Sequence, residues 1–133
     1  MKIKILIIGV IKNGDSLLMR KKFTGSGPYT ETWYSFGAEF VPNGNNIFEN
    51  YIKEYVSLDI SFVRSLSWES EIKKDLDGEL KQFIYLNTEF KYEAGGIVLP
   101  QGLEKVEWIF LKDLSSLDIV PPSAKLFKKL KYL

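Results

Sequence analysis

Residues Ile3 to Ile11 form a continuous run dominated by β-branched side chains, closed by Asn13-Gly14 and followed by "SLLMRKK". Asn-Gly between two apolar runs is the chemistry of a tight hairpin turn, whose central residues need φ > 0. A first strand without polar alternation predicts burial on both of its faces, so the chain is expected to start a sheet that is covered on two sides. Read as a secretory leader, the same segment fails: the run is short, Lys12 interrupts it and no small-residue cleavage site follows. The expected location is the cytoplasm.

Further along, "FTGSGPYTET" reads as a Gly/Pro/Thr loop, Trp33 to Val41 as one more strand and Pro42-Asn43-Gly44 as a turn. From Asn46 the period changes. Ile47, Phe48, Tyr51, Ile52, Tyr55 and Val56 recur at helical spacing, and Glu49, Asn50, Lys53, Glu54 and Ser57 take the opposite face. Asn45 or Asn46 is the expected cap. Ile60 to Trp68 and Leu80 to Phe90 read as strands flanking the charged turn "KKDLDGE", "EAGG" and "LPQG" read as loops, and Val106 to Leu111 is the last strong strand. After Pro121-Pro122, Leu126, Phe127, Leu130 and Leu133 make an apolar stripe, with Lys125, Lys128, Lys129 and Lys131 pointing away from it. That pattern predicts a final helix docked on the sheet with a solvated basic face; a membrane-surface helix would want flanking anchors. No repeat or linker divides the 133 residues, so the expectation is one domain of the α/β class, a mixed sheet covered by helices.

Composition narrows the chemistry. Lys plus Arg 18 against Asp plus Glu 17 gives a net charge of +1, which removes the bulk attraction that nucleic-acid binders rely on and leaves room for a small anionic ligand. With no cysteine and no histidine, disulfides, thiolate sites and the commonest acid/base residue are excluded. Carboxylates, Lys, Ser/Thr and Tyr remain, and a metal held by them would be hard and oxygen-bound, magnesium first.

The order of these elements, with "WYSFGAEFVPNGNN" leading into the central helix and "LEKVEWIFLKDLSSLDIVPPSAKLFKKL" closing the chain, resembles the Nudix hydrolase family along most of its length. The resemblance implies a Nudix-like α/β/α sandwich, hydrolysis of a nucleoside diphosphate derivative, a Mg2+ ion and a nucleotide or diphosphate ligand. It also implies a homodimer, since dimers are frequent among similar proteins. The family signature, G-x5-E-x7-R-E-U-x-E-E-x-G-U with U aliphatic, is not satisfied. Anchored on Gly44, it puts Asn45 at the first glutamate, Lys53 at the arginine, Glu54 beside it, and Ser57 and Leu58 at the paired glutamates. Anchored on "VSLDI", it puts Glu54 and Tyr55 at the pair, and Asn50 and Tyr51 at Arg-Glu. The first alignment needs only one extra residue and is preferred. Glu54 is retained in both.

In the family the helix glutamates hold the ion that bridges the diphosphate. A unit charge pair at 4 Å contributes about 4 kcal/mol at an effective dielectric near 20, so losing two such ligands should cost decades of metal affinity. Remaining candidates are Glu49, about 140° from Glu54 around the helix, Glu39 from the strand before it, and a backbone carbonyl of Gly37 or Ala38. Lys53 is expected to pair with Glu49 at i,i+4, to replace the family's arginine, or to touch phosphate itself. Without a metal, Glu49, Lys53 and Glu54 are a solvated helix face. For substrate, Arg20, Lys21 and Lys22 end a strand that faces the Gly/Pro loop, and Tyr29 and Tyr34 are candidates for stacking on a base, whereas Trp33 reads as core. Asp75, Asp77 and Glu79 read as a polar hairpin tip. The chain is thus expected to be a Nudix-type hydrolase with a degraded metal-binding box, or a Nudix-fold nucleotide or phosphate-ligand binder with little or no hydrolysis, or an interaction module that keeps only the fold.

Overall fold

The computed structural model describes residues 1–133. Seven strands, two α-helices and one 3-10 segment follow in the order β1 (Lys2–Asn13), β2 (Ser16–Lys22), β3 (Trp33–Tyr34), β4 (Phe36–Glu39), α1 (Ile47–Val56), β5 (Asp59–Lys74), β6 (Leu80–Ala94), β7 (Leu103–Phe110), the 3-10 segment Leu111–Ser116 and α2 (Pro121–Lys129). The sheet is mixed and runs β3-β2-β1-β6-β5, with β4 added to β1 and β7 to β2. The Asn-Gly hairpin forms as expected, with Gly14 at φ 58. β1 then runs parallel to β6 over its whole length, from Lys2 beside Lys81 to Lys12 beside Lys91.

Alternation along β1 divides the interior in two. Ile7 and Ile11 point to the side where Phe48, Ile52 and Val56 of α1 are fully buried. Ile8 and Val10 point to the side filled by Leu126 and Phe127 of α2 with Leu17, Met19 and Leu114. Each fully buried large apolar side chain contributes roughly 1.5–3 kcal/mol. The helices therefore dock on opposite faces, which makes the α/β/α sandwich. Gly9 is obligatory at the α1 crossing, because a Cβ there would collide with the ring of Phe48.

Several local expectations change. The strand expected from Trp33 to Val41 breaks at Ser35: β3 pairs with β2 and β4 pairs with β1. The chain switches neighbours where the N–H of Ser35 donates to the Ser123 hydroxyl at 3.2 Å, outside any ladder. β1 is fully buried only at Gly9–Ile11, while Lys2 and Ile3 are exposed, because α1 covers one end of its face. Asn46 does precede α1, but in the left-handed region (φ 50) with no side-chain cap bond. α2 ends at Lys129, so Leu133 lies beyond the helix and is exposed.

Candidate functional site

β2 ends by sending two cations into one cavity. Arg20 and Lys22 line a space of about 730 Å³ together with Tyr29, Tyr34, Ser35 and Gly37, closed on the far side by Ser123 and Lys125 of α2 and by Glu71, Lys73 and Tyr85 of the β5–β6 pair. The four side chains proposed from sequence for ligand binding thus share one wall. Lys21 between them leaves for β7, where it pairs with Glu104 at 2.8 Å.

Lys22 is the unusual member. It is only 8% exposed, and its ammonium donates to the Tyr29 carbonyl at 2.7 Å. No acidic side chain lies within ion-pair distance of it, although desolvating an ammonium costs several kcal/mol unless an opposite charge offsets it. Close by, the hydroxyl of Ser35 is buried with no hydrogen-bond partner. Buried polar groups are nearly always satisfied, and the Ser35 hydroxyl is an exception.

Arg20 is held more tightly. Its Nε donates to the Ser35 carbonyl at 3.1 Å, and its guanidinium lies 4.0 Å from the Tyr34 ring centroid and 4.9 Å from that of Phe36. This covers one face of Tyr34 and leaves Tyr29 as the freer ring for stacking. On its other side Arg20 comes within 3.5 Å of the Tyr51 hydroxyl on α1. Burial pushes the Tyr51 phenol up, and Arg20 only partly offsets it.

The opposite wall is a relay that the sequence did not announce. The Tyr85 hydroxyl donates to Glu71 at 2.6 Å, and Lys73 sits 3.1 Å from the same carboxylate. The Tyr85 bond, then Lys73, hold Glu71 below the usual carboxylate range. Burial, reinforced by Glu71, pushes Tyr85 up to about 12. Four cations and two carboxylates line the cavity, and Glu71 and Glu69 are already paired, to Lys73 and Lys129. Net positive charge is left facing inward.

The acidic candidates are arranged differently. Glu39 is exposed at the end of β4, Glu54 is exposed on the last turn of α1, and Glu49 on the first turn borders a second, open cavity of about 820 Å³. No three acidic side chains converge anywhere in the chain where an ion could sit. Lys53 does not pair with Glu49; it reaches forward to Asp59 at 3.1 Å, because β5 begins just past the helix end. At the hairpin tip Asp75 is held by Lys81 and Lys4 and Asp77 by Lys81, which drives both carboxyls well below their ordinary values. They are spent on the turn, as the polar-tip reading expects.

No family profile matches the sequence, and no curated protein matches it as a relative. Solved structures do. The MutT protein of Bacillus halodurans superposes with a TM-score of 0.72 at 13% identity, over 94% of this chain and 80% of that one. The MutT protein of Methanosarcina mazei Go1 gives 0.71 at 13% identity, over 98% and 93%. The Nudix domain of Shewanella oneidensis NrtR, solved with ADP-ribose, gives 0.63 at 11% identity, over 98% and 86%. This is the Nudix hydrolase fold.

Within the Nudix fold the end of α1 bears on the two alignments of the box. The helix stops at Val56, and Ser57 is its C-cap in the left-handed region (φ 64), the backbone state that a glycine at the box's end would supply. The alignment preferred from sequence puts the paired glutamates at Ser57 and Leu58, off the helix, whereas the one anchored on "VSLDI" keeps its pair on it. Under the "VSLDI" alignment Glu54 and Tyr55 would take the pair, and Tyr51 the place of the glutamate of Arg-Glu. Tyr51 and Tyr55 pack at 5.2 Å between centroids, with Arg20 against Tyr51. Next to Glu54 the helix carries phenols and a guanidinium fixed against them, and no cluster of three carboxylates. This donor set does not fit a hard divalent ion.

Proposed function

We propose that the cavity beneath β2 binds a small molecule bearing a nucleotide-type diphosphate, and that binding needs no divalent metal. The observation that carries this reading is the buried ammonium of Lys22, without a carboxylate and beside the unpartnered hydroxyl of Ser35. With one N–H given to the Tyr29 carbonyl, Lys22 keeps donors for phosphate oxygens, and Ser35 adds another. Arg20 at the entrance supplies a second cation of fixed orientation, as bidentate or stacked arginines do in phosphate recognition. Tyr29 offers a ring face for a base, and Glu71 on the opposite wall offers acceptor oxygens to an amino group.

Titration calorimetry with ADP-ribose and nucleoside diphosphates in chelator tests the proposal. Binding should survive chelation and weaken with salt; binding that appears only when magnesium is added would refute it. Hydrolysis of the same diphosphate is the second reading, favoured by one residue: Glu54, on the helix, falls at a box glutamate under either alignment. Glu54→Gln should then abolish any turnover, and turnover surviving in that variant would point to another carboxylate.

A further inference from the structure

α1 covers only one end of its face of the sheet, and the rest of that face is bare. The pairing registers define its rows. Ile3, Gln82 and Ile72 stand side by side across β1, β6 and β5, and Ile7, Leu86 and Trp68 do so nearer the helix. Where these bare rows meet the first turn of α1 lies the open cavity of about 820 Å³ that Glu49 borders.

Its lining is rich in aromatic rings. Phe90 is the buried one, stacked on Phe48 at 4.6 Å and meeting Phe62 nearly at right angles at 6.3 Å. Trp68 is 68% exposed, Phe62 57% and Phe40 38%, and all three line the cavity. Elsewhere the chain sets its own cations over exposed rings: Arg20 lies 4.0 Å from the Tyr34 centroid, Lys73 4.7 Å from that of Phe83 and Lys112 5.8 Å from that of Phe110. The rings of this cavity have none, and no lysine or arginine lines it.

The single ionisable group on the lining is the half-buried carboxylate of Glu49. Lys53, its neighbour at i,i+4, turns away to Asp59, so Glu49 faces the cavity without a counter-ion from the chain. Deeper polar groups are already spent. The Thr88 hydroxyl donates to the Leu86 carbonyl at 3.2 Å, and the Asn87 side-chain amide donates to the Ser67 hydroxyl at 3.1 Å. Ring faces attract a cation through their quadrupoles, and a carboxylate beside them adds to that field. A bare ammonium would give up its water here for too few acceptors. One carrying alkyl groups is weakly hydrated and can lay them on Ile7 and Leu86. We propose that this cavity binds a small organic cation, an alkylated ammonium with an apolar body, its charge held by Glu49 and the faces of Phe62 and Trp68. The volume is that of a small-molecule site, which spans about 300–1,000 Å³.

NMR of the three tryptophan indole N–H groups tests the proposal. The Trp68 signal is the one lost in Trp68→Ala. Benzyltrimethylammonium should shift it saturably, with an affinity about tenfold or more above that of benzyl alcohol, which offers the same ring without the charge. By calorimetry, Trp68→Ala and Glu49→Gln should each weaken binding of the cation about fivefold. Neither side chain belongs to the core, so circular dichroism of both variants should match the wild type. Absence of a saturable shift overturns the proposal. So does equal affinity for benzyl alcohol, or full affinity in Glu49→Gln, since charge would then play no part in the binding.

Discussion

The two faces of the β1-β6-β5 sheet are made by the same strands and do opposite things. On the α2 face, alternate residues gather lysines, glutamates and Tyr85 around a polar cavity; on the α1 face, the residues between them are isoleucine, leucine, tryptophan and uncharged polar groups. The difference teaches that one sheet can carry a charged cavity and a bare apolar surface back to back without conflict. A side-chain period of two keeps desolvation problems on one side away from charges on the other.

The sharpest contrast lies between the covered and bare parts of the α1 face. Phe48→Ala removes the ring that rests on Gly9 and should destabilise the monomer by about 4 kcal/mol in denaturant titrations, whereas Trp68→Ala should stay within about 0.5 kcal/mol of wild type. Equal losses would mean that the bare rows are part of the core. On the α2 face, Lys22→Met should lower affinity for a diphosphate ligand by about 30-fold, roughly 2 kcal/mol for one lost charge-assisted bond; unchanged calorimetric affinity would move the anion elsewhere.

pH separates the faces as well. The Tyr85 pKa is raised above its ordinary 10.0 in the folded protein, to about 12, so the folded state holds its proton more strongly than the unfolded one. Its contribution is complete below pH 10 and is lost as pH climbs from 10 toward 12. Tyr85→Phe should remove that part of the alkaline decline in stability, and a variant declining as steeply as wild type would show that Tyr85 is not its source. The smallest effect belongs to the exposed Lys53–Asp59 pair: Lys53→Ala should change stability by less than about 0.5 kcal/mol.

Much of the fold was legible because its signals are local. Asn13-Gly14, the helical spacing from Ile47 to Val56 and the turn at Asp77-Gly78 each specify their geometry within a few residues. The break at Ser35 was not legible, since Trp33 to Val41 has an unbroken strand pattern and only the competing ladders of β2 and β1 divide it. The end of α1 is hard to read for a related reason. It is set by a left-handed Ser57, a backbone state that serine seldom signals in sequence.

The site divides in the same way. Arg20, Lys22, Tyr29 and Tyr34 could be grouped as candidates because strand ends and Gly/Pro loops often carry function, but the residues facing them, Glu71, Lys73, Tyr85 and Ser123, come from distant segments that only folding brings to the same cavity. By itself the sequence determined the sheet, its two covering helices, the near-neutral charge balance and the absence of cysteine and histidine, because period, turn chemistry and residue type are properties of short stretches. Tertiary structure alone decided that Lys22 is buried without a counter-ion, that Tyr51 and Arg20 meet at the helix, and that one sheet face is bare. Burial and pairing are properties of what lies across the fold, and no local pattern encodes them.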